Sequence, residues 1–265
     1  MTAPAVLVTG ASSGIGFLCA ERLASAGYRV LAASRRALAP RGCEPVAMDV
    51  DDDASVEHAI AAAGPLDAIV ICAGWGLAGA IEDTPVAQAR AQFETNFFGA
   101  HRVVHAALPG MRARGAGRIV LVSSLAAAVP LPYQAFYSAS KAALSNYAEA
   151  LRLELAPSGV HVVCIEPGNF RTGFTGSRRR AAGWTQDSPH AASCEASLQW
   201  MERDELRAPP PAAVVRRLVA VLEQPVPVLR HVVVAHAFER IGARLRALLP
   251  QRLYERVALK VFRIL

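Results

Sequence analysis

Ala5-Val6-Leu7-Val8-Thr9-Gly10-Ala11-Ser12-Ser13-Gly14-Ile15-Gly16-Phe17 runs from a short apolar segment, through a turn of glycine and serine, into residues with helical spacing. Four apolar residues closed by a turn read as a buried strand, and Phe17–Ala26 continues as a helix. The three glycines allow a tight turn, close approach of other backbone and tight helix packing. The unpaired N–H groups and the positive dipole end at the helix start then make a cradle for a pyrophosphate. Gly10, Ser12, Ser13, Gly14, Ile15 and Gly16 are its candidate contacts. In a strand–turn–helix setting this pattern is specific; three glycines without that setting would mean little.

The same alternation continues outward from this unit. Further strands are expected at Tyr28–Ala33, Pro45–Met48, Ala68–Cys72, Arg118–Val122, Val160–Ile165 and Arg230–Val234. Helical spacing marks Ala54–Ala63, Gln88–Met111 and Ala135–Ala156, the last closed by Ser158-Gly159. Repeated βαβ units imply an α/β fold: a single doubly wound Rossmann-type domain, with a seven-stranded parallel sheet and helices on both faces. It would span residues 1–265, with the core at 4–172. From Gly173 to Pro211 the chain turns polar and irregular. Leaving the carboxyl end of the sixth strand, residues 173–211 are placed to act as a lid over a substrate. Residues 212–265 hold the last strand, further helices and a basic tail.

Composition narrows the classes. Apolar residues make up 53 % of 265 and charged residues 19 %, a balance that supports a large core and excludes a disordered chain. Five scattered cysteines without a CxxC pair read as free thiols in a reducing compartment, so a cytoplasmic location is expected. The seven histidines form no metal-spaced cluster, and no metal is expected. The net charge of +6 lies wholly in residues 240–265, where seven Arg and Lys face Glu255 alone. Basic residues interleaved with aromatics along a surface are absent, so no nucleic-acid partner is expected. The uncharged stretch Ile119–Ser140 is broken by serine, glutamine and two prolines, which a lipid-spanning helix tolerates poorly.

Two further positions carry chemistry. The second strand ends Ala32-Ala33-Ser34-Arg35-Arg36, without the acid that would bind a ribose 2′-hydroxyl. Ser34 and the Arg35 guanidinium suit a 2′-phosphate, which points to NADP(H), and Asp49-Val50 after the third strand would lie near the adenine. Asp51-Asp52-Asp53 reads as a helix N-terminal cap. Tyr137 and Lys141 stand four residues apart at the start of a helix, hence on one face. A phenol with a pKa of about 10 becomes an acid/base near neutrality when a cation stabilises its phenolate. Ser124, at the carboxyl end of the fifth strand, can reach a substrate oxygen.

The series Thr9–Gly16, Cys72-Ala73-Gly74, Asn96, Ser124, Tyr137/Lys141 and Pro167-Gly168 resembles the short-chain dehydrogenase/reductase family in its compact form, over about residues 4 to 172. The resemblance implies hydride transfer with Tyr137 as general acid/base and Ser124 orienting the substrate oxygen. It implies that Lys141 holds the nicotinamide ribose and lowers the Tyr137 pKa, and that Asn96 serves a proton relay by kinking its helix. Ala73, Gly74, Pro167, Gly168 and Thr172 would complete the cofactor site. Cys72 departs from the family, which usually has Asn there to brace the turn.

Gly74–Glu82 and Ser124–Tyr137 resemble the 17β-hydroxysteroid and retinol dehydrogenase branch more than the 3-oxoacyl carrier-protein reductases. With Trp75, Leu125, Leu131, Phe136 and Phe174 near the mouth, a bulky lipophilic carbonyl or alcohol is expected as the small-molecule substrate. A 3-oxoacyl-thioester reductase and a non-catalytic dinucleotide-binding regulator are the alternatives. The family resemblance implies a homodimer or homotetramer. Residues 240–265 repeat Ile241, Leu245, Leu248, Leu249, Leu253, Val257, Val261 and Leu265 at helical spacing between cations, with Pro250 expected to split two helices. This tail reads either as a packed C-terminal element or as a surface for peripheral membrane contact.

Overall fold

The computed structural model describes residues 3–264. The first half runs β1 (Ala5–Thr9), α1 (Gly14–Ser25), β2 (Arg29–Ser34), β3 (Glu44–Ala47), α2 (Asp53–Ala63), β4 (Ala68–Ile71) and β5 (Leu77–Ala78). Next come α3 (Val86–Phe93), a π-helical turn over Glu94–Phe98, α4 (Gly99–Ala113), β6 (Gly117–Val122), a 3₁₀ turn over Leu125–Ala127 and α5 (Ala135–Glu154). The chain continues with β7 (Val160–Pro167), α6 (Phe174–Ser177), β8 (Arg179–Arg180) and α7 (Ala191–Arg207). It closes with α8 (Ala212–Glu223), β9 (Arg230–Val233), α9 (Ala237–Leu248) and α10 (Gln251–Val261).

The main sheet has seven strands in the order β3-β2-β1-β4-β6-β7-β9, all parallel, as the sequence pattern implied. Side chains alternate along each strand, so both faces can be buried when both residue sets are apolar. Leu7, Leu31, Ile69, Ile119 and Leu121 pack with α2, α4 and α5 on one face. Val6, Val8, Val30, Val70, Val120 and Val163 pack with α1 and α8 on the other. Strand order reverses between β1 and β4, and the carboxyl ends of these two strands open the crevice in which doubly wound sheets bind ligands.

Local chemistry agrees with this plan. Asp52 caps α2 by accepting from the Ser55 N–H at 2.6 Å, the role expected of the acidic run. Gly159 turns the chain from α5 into β7 with φ +73, and a Cβ there would lie 2.1 Å from the Gly115 carbonyl oxygen. Pro250 does separate α9 from α10.

Two expectations are corrected. The pattern from Gln88 to Met111 is not one α-helix; it is broken at Glu94–Phe98 by a π turn, within which Asn96 is buried. Residues 173–211 are not irregular throughout. Cys194, Leu198 and Met201 are the buried stripe of α7, at helical spacing within an otherwise polar sequence. A two-stranded parallel pair, β5 with β8, ties this segment back to the region after β4. No helix among the described residues is long and apolar enough to cross a membrane.

Ile119 is fully buried in β6, between β4 and β7. Ile119→Ala is expected to lower stability by about 2–5 kcal/mol, read as an earlier urea midpoint with an unchanged slope.

Candidate active site

The glycine turn is shaped by contacts that exclude side chains. Gly10 has φ +65, and a Cβ on it would meet the Ala73 backbone at 2.9 Å; one on Gly16 would meet the Gly10 carbonyl oxygen at 2.5 Å. The turn is therefore pressed between the ends of β1 and β4, and the start of α1 faces the crevice. The Thr9 hydroxyl accepts from the Cys72 and Ala73 N–H groups, both at 3.2 Å. That pair braces the turn where Cys72 replaces the family's usual Asn. The Cys72 thiol is pushed up to about 12 by burial, against a smaller pull from Lys141.

One cavity of about 440 Å³ runs along this edge of the sheet. Gly10, Ser12, Ser13, Gly14, Ile15 and Gly16 line it, with Ser34 and Arg35 from the end of β2 and Asp49 and Val50 after β3. Ala73, Gly74, Pro167, Gly168 and Thr172 line it further along. Ser124, Tyr137 and Lys141 stand in the same wall, with Trp75, Leu131 and Phe174. Asn96 is fully buried directly behind it. Leu125 and Phe136 lie outside the wall. Leu125 opens the 3₁₀ turn, while Phe136 is one residue, and so about 100°, round α5 from Tyr137.

Ser34 does not present a free hydroxyl. It donates to the Leu38 carbonyl at 3.2 Å and accepts from the Leu38 N–H at 3.0 Å, so its one proton closes the turn after β2. Arg35 is exposed on that turn and remains the cation at this end.

Asn96 organises the opposite end. Its Oδ1 accepts from the Trp75 N–H at 3.0 Å, and its Nδ2 donates to the Trp75 carbonyl and to the Ser140 hydroxyl, each at 3.1 Å. Ser140 in turn donates to the Tyr137 carbonyl at 2.7 Å. Lys141 Nζ donates to the Val122 carbonyl at 2.9 Å and lies beside Gly74, where a Cβ would stand 3.5 Å from it. Burial pushes the Lys141 ammonium down to about 8. Burial also pushes the Tyr137 phenol up, while the Ser124 hydroxyl bonded to it acts in the opposite direction. Glu205 adds to the rise and Arg178 opposes it. The Lys141 ammonium gives one of its three protons to the Val122 carbonyl.

Several residues of the site carried no signal in the sequence. Gln92, fully buried, donates to the Trp75 carbonyl at 2.8 Å. The Trp75 indole N–H donates to Thr95, which donates to Asp51. The Arg179 guanidinium stacks 4.1 Å from the Trp75 ring centroid. Beyond it, Phe174 meets Tyr137 with ring centroids 5.3 Å apart. Behind Phe174, Arg178 pairs with Glu202 and Glu205, and the Thr175 hydroxyl donates to Glu205 at 2.6 Å. Thr175, Ser177, Arg179 and Glu205 all reach the cavity wall from residues 173–207. The floor near Gly168 is held from α9: buried Glu239 accepts from the Asn169 N–H at 2.8 Å and the His236 N–H at 3.0 Å.

The family model described as short chain dehydrogenase matches residues 4–183. The chain belongs to the short-chain dehydrogenase/reductase family. It is an oxidoreductase of that family, whose cofactors are nicotinamide dinucleotides. Among curated relatives, 3-ketodihydrosphingosine reductase of Bacteroides thetaiotaomicron is 38 % identical, over 76 % of this chain and 76 % of that protein. Human 17-beta-hydroxysteroid dehydrogenase type 1 is 37 % identical, over 66 % of this chain and 59 % of that protein. A short-chain dehydrogenase from Streptomyces avermitilis superposes with a TM-score of 0.81 at 31 % identity, covering 97 % of this chain and 96 % of that one. Another, from Burkholderia cenocepacia in complex with NADP, gives 0.73 at 26 % identity, covering 96 % of each.

A lysine whose pKa falls on folding leaves the folded state with fewer bound protons than the unfolded chain, here between about pH 8 and the ordinary lysine range near about 10.4. The contribution of Lys141 to stability therefore rises with pH across that window. The chain has only two lysines, Lys141 and Lys260. In the cofactor-free protein carrying ¹³Cε-labelled lysine, the resonance lost in Lys141→Met is expected to titrate near pH 8.

Proposed function

We propose that the protein is an NADP(H)-dependent reductase or dehydrogenase of a bulky lipophilic ketone or secondary alcohol, with Tyr137 as general acid/base. The observation that carries this reading is the placing of Ser124, Tyr137 and Lys141 in the wall of the same cavity as the glycine turn, with Asn96 fastened behind them. When bound, the nicotinamide supplies or accepts the hydride. In the reducing direction Ser124 donates to the substrate oxygen and Tyr137 delivers the proton to it. Lys141 would hold the nicotinamide ribose once cofactor fills the crevice, and its positive charge favours the phenolate. Asn96 fixes the Trp75 backbone and, through Ser140, the first turn of α5, so Tyr137 is positioned from behind.

The preference for NADP(H) rests on Arg35, an exposed guanidinium at the end of β2 where no acid stands. Support comes from the relative solved with NADP. Pro167, Gly168 and Thr172 complete the cofactor contacts in this reading. The substrate end is walled by Trp75, Leu131 and Phe174, and residues 173–211 serve as its lid. A lipophilic substrate agrees with what the relatives' names denote, a long-chain keto base and a steroid. The cluster of Phe97, Phe98, Tyr147 and His101 between α4 and α5, with Phe98 exposed, supports a homodimer through these helices.

Tyr137→Phe is expected to lower kcat by about 10²–10⁴-fold while NADPH still binds; undiminished turnover on every carbonyl the wild type reduces would remove Tyr137 from the chemistry. Arg35→Ala is expected to weaken NADPH about 10- to 100-fold and leave NADH unchanged, followed by tryptophan fluorescence.

A further inference from the structure

The C-terminal helices α9 and α10 carry three kinds of strip rather than two. Tyr254 and Ala258 on α10 and Phe262 just past its end recur every four residues and form the inner strip; Phe262 is buried, edge-on to Trp200 at 5.8 Å. About 100° round the helix, Leu253, Val257 and Val261 form a second apolar strip, and all three are exposed. Another such step brings Arg252, Arg256 and Lys260, also exposed, roughly opposite the packed strip. On α9, Glu239 is buried while Phe238, Ile241 and Leu248 are exposed, Leu248 to 79 %. Six large apolar side chains thus stand in solvent within twenty-four residues, on helices already anchored by their other face.

We propose that this outer face of α9 and α10 seats the protein on an anionic lipid bilayer. Charge selects that occupant. The whole net charge of +6 lies in residues 240–265, and on α10 the cations flank the exposed apolar strip, as an interfacial helix requires. A second copy of the chain packed antiparallel on this strip fits poorly, because that two-fold contact would set each row of cations against its own image.

The seat is connected to the site. Ala258 and Phe262 belong to the cluster containing Leu198 and Met201 of α7, with Leu131 packed against it; Leu131 also lines the cavity. Glu239, in the first turn of α9, holds the Asn169 N–H at the cofactor floor. A bilayer under α9 and α10 therefore lies against the elements that frame the substrate end. This last step rests on the lipophilic-substrate reading; the docking itself does not.

The test is flotation of the full-length protein with phosphatidylcholine vesicles, with and without phosphatidylserine. Wild type is expected to co-float only with phosphatidylserine vesicles at low salt, and to be released at high salt. The triple variant Arg252→Glu, Arg256→Glu, Lys260→Glu is expected to bind at least about 100-fold more weakly, and Leu253→Ser with Val257→Ser also to lose binding. All these positions are exposed, so thermal midpoints and turnover of a water-soluble ketone should match wild type; that turnover reports on Tyr137 independently of flotation. Failure of wild type to co-float at low salt overturns the proposal, as does undiminished flotation of the triple variant. A wild-type dimer that Leu253→Ser with Val257→Ser converts to monomer would assign the face to a second copy and equally overturn it.

Discussion

Both polar groups of the Trp75 backbone are held by one side chain, the carboxamide of Asn96, and the active end of the cavity depends on that grip. The third bond of the carboxamide goes to Ser140, which is bonded to the carbonyl of Tyr137. One buried amide thus ties the segment after β4, the π turn and the start of α5. A regular α-helix through Glu94–Phe98 would turn Asn96 elsewhere; the added residue of the π turn aims it at Trp75 and Ser140. A buried amide with its groups satisfied is rigid, since breaking any bond leaves a polar atom without water. Trp75 is fixed further by Gln92 and Thr95, so this aromatic part of the cavity wall is set from three directions.

The glycine-turn end of the cavity obeys a different constraint, the close approach of backbone to backbone. Gly10 lies against Ala73 and Gly16 against Gly10 with no room for a Cβ, and Thr9 closes the seam by accepting two N–H groups. Here steric exclusion does what hydrogen bonds do around Asn96. The protein's own polar groups there are largely spent on the turn, and the N–H groups at the start of α1 face the crevice for a ligand.

The sheet was legible in the sequence because its strands are short apolar runs whose alternate residues serve opposite faces; Val6 and Leu7 go to different cores and both are apolar. The glycine turn and Ser124, Tyr137 and Lys141 stood out by residue type and spacing, and the fold brings them to the wall of one cavity. What escaped was decided by tertiary contact. Helix α7 buries a narrow stripe under a polar majority, so its period is faint. Glu205 reaches the cavity only because Arg178 and Thr175 hold it there. Ser34 has the chemistry of a phosphate ligand, and only the fold shows its proton committed to Leu38.

The pairing of β7 with β9 has a consequence for how the protein is made. Gly168 donates to the Val233 carbonyl at 2.8 Å, and Asn169 is held by Glu239, so the floor of the crevice is completed by residues that leave the ribosome some seventy positions later. Until residues 230–239 arrive, β7 is a bare parallel edge, open to pairing with another chain. The first six strands can assemble in order of synthesis around the glycine turn. The crevice is closed late, after residues 173–211 have been made.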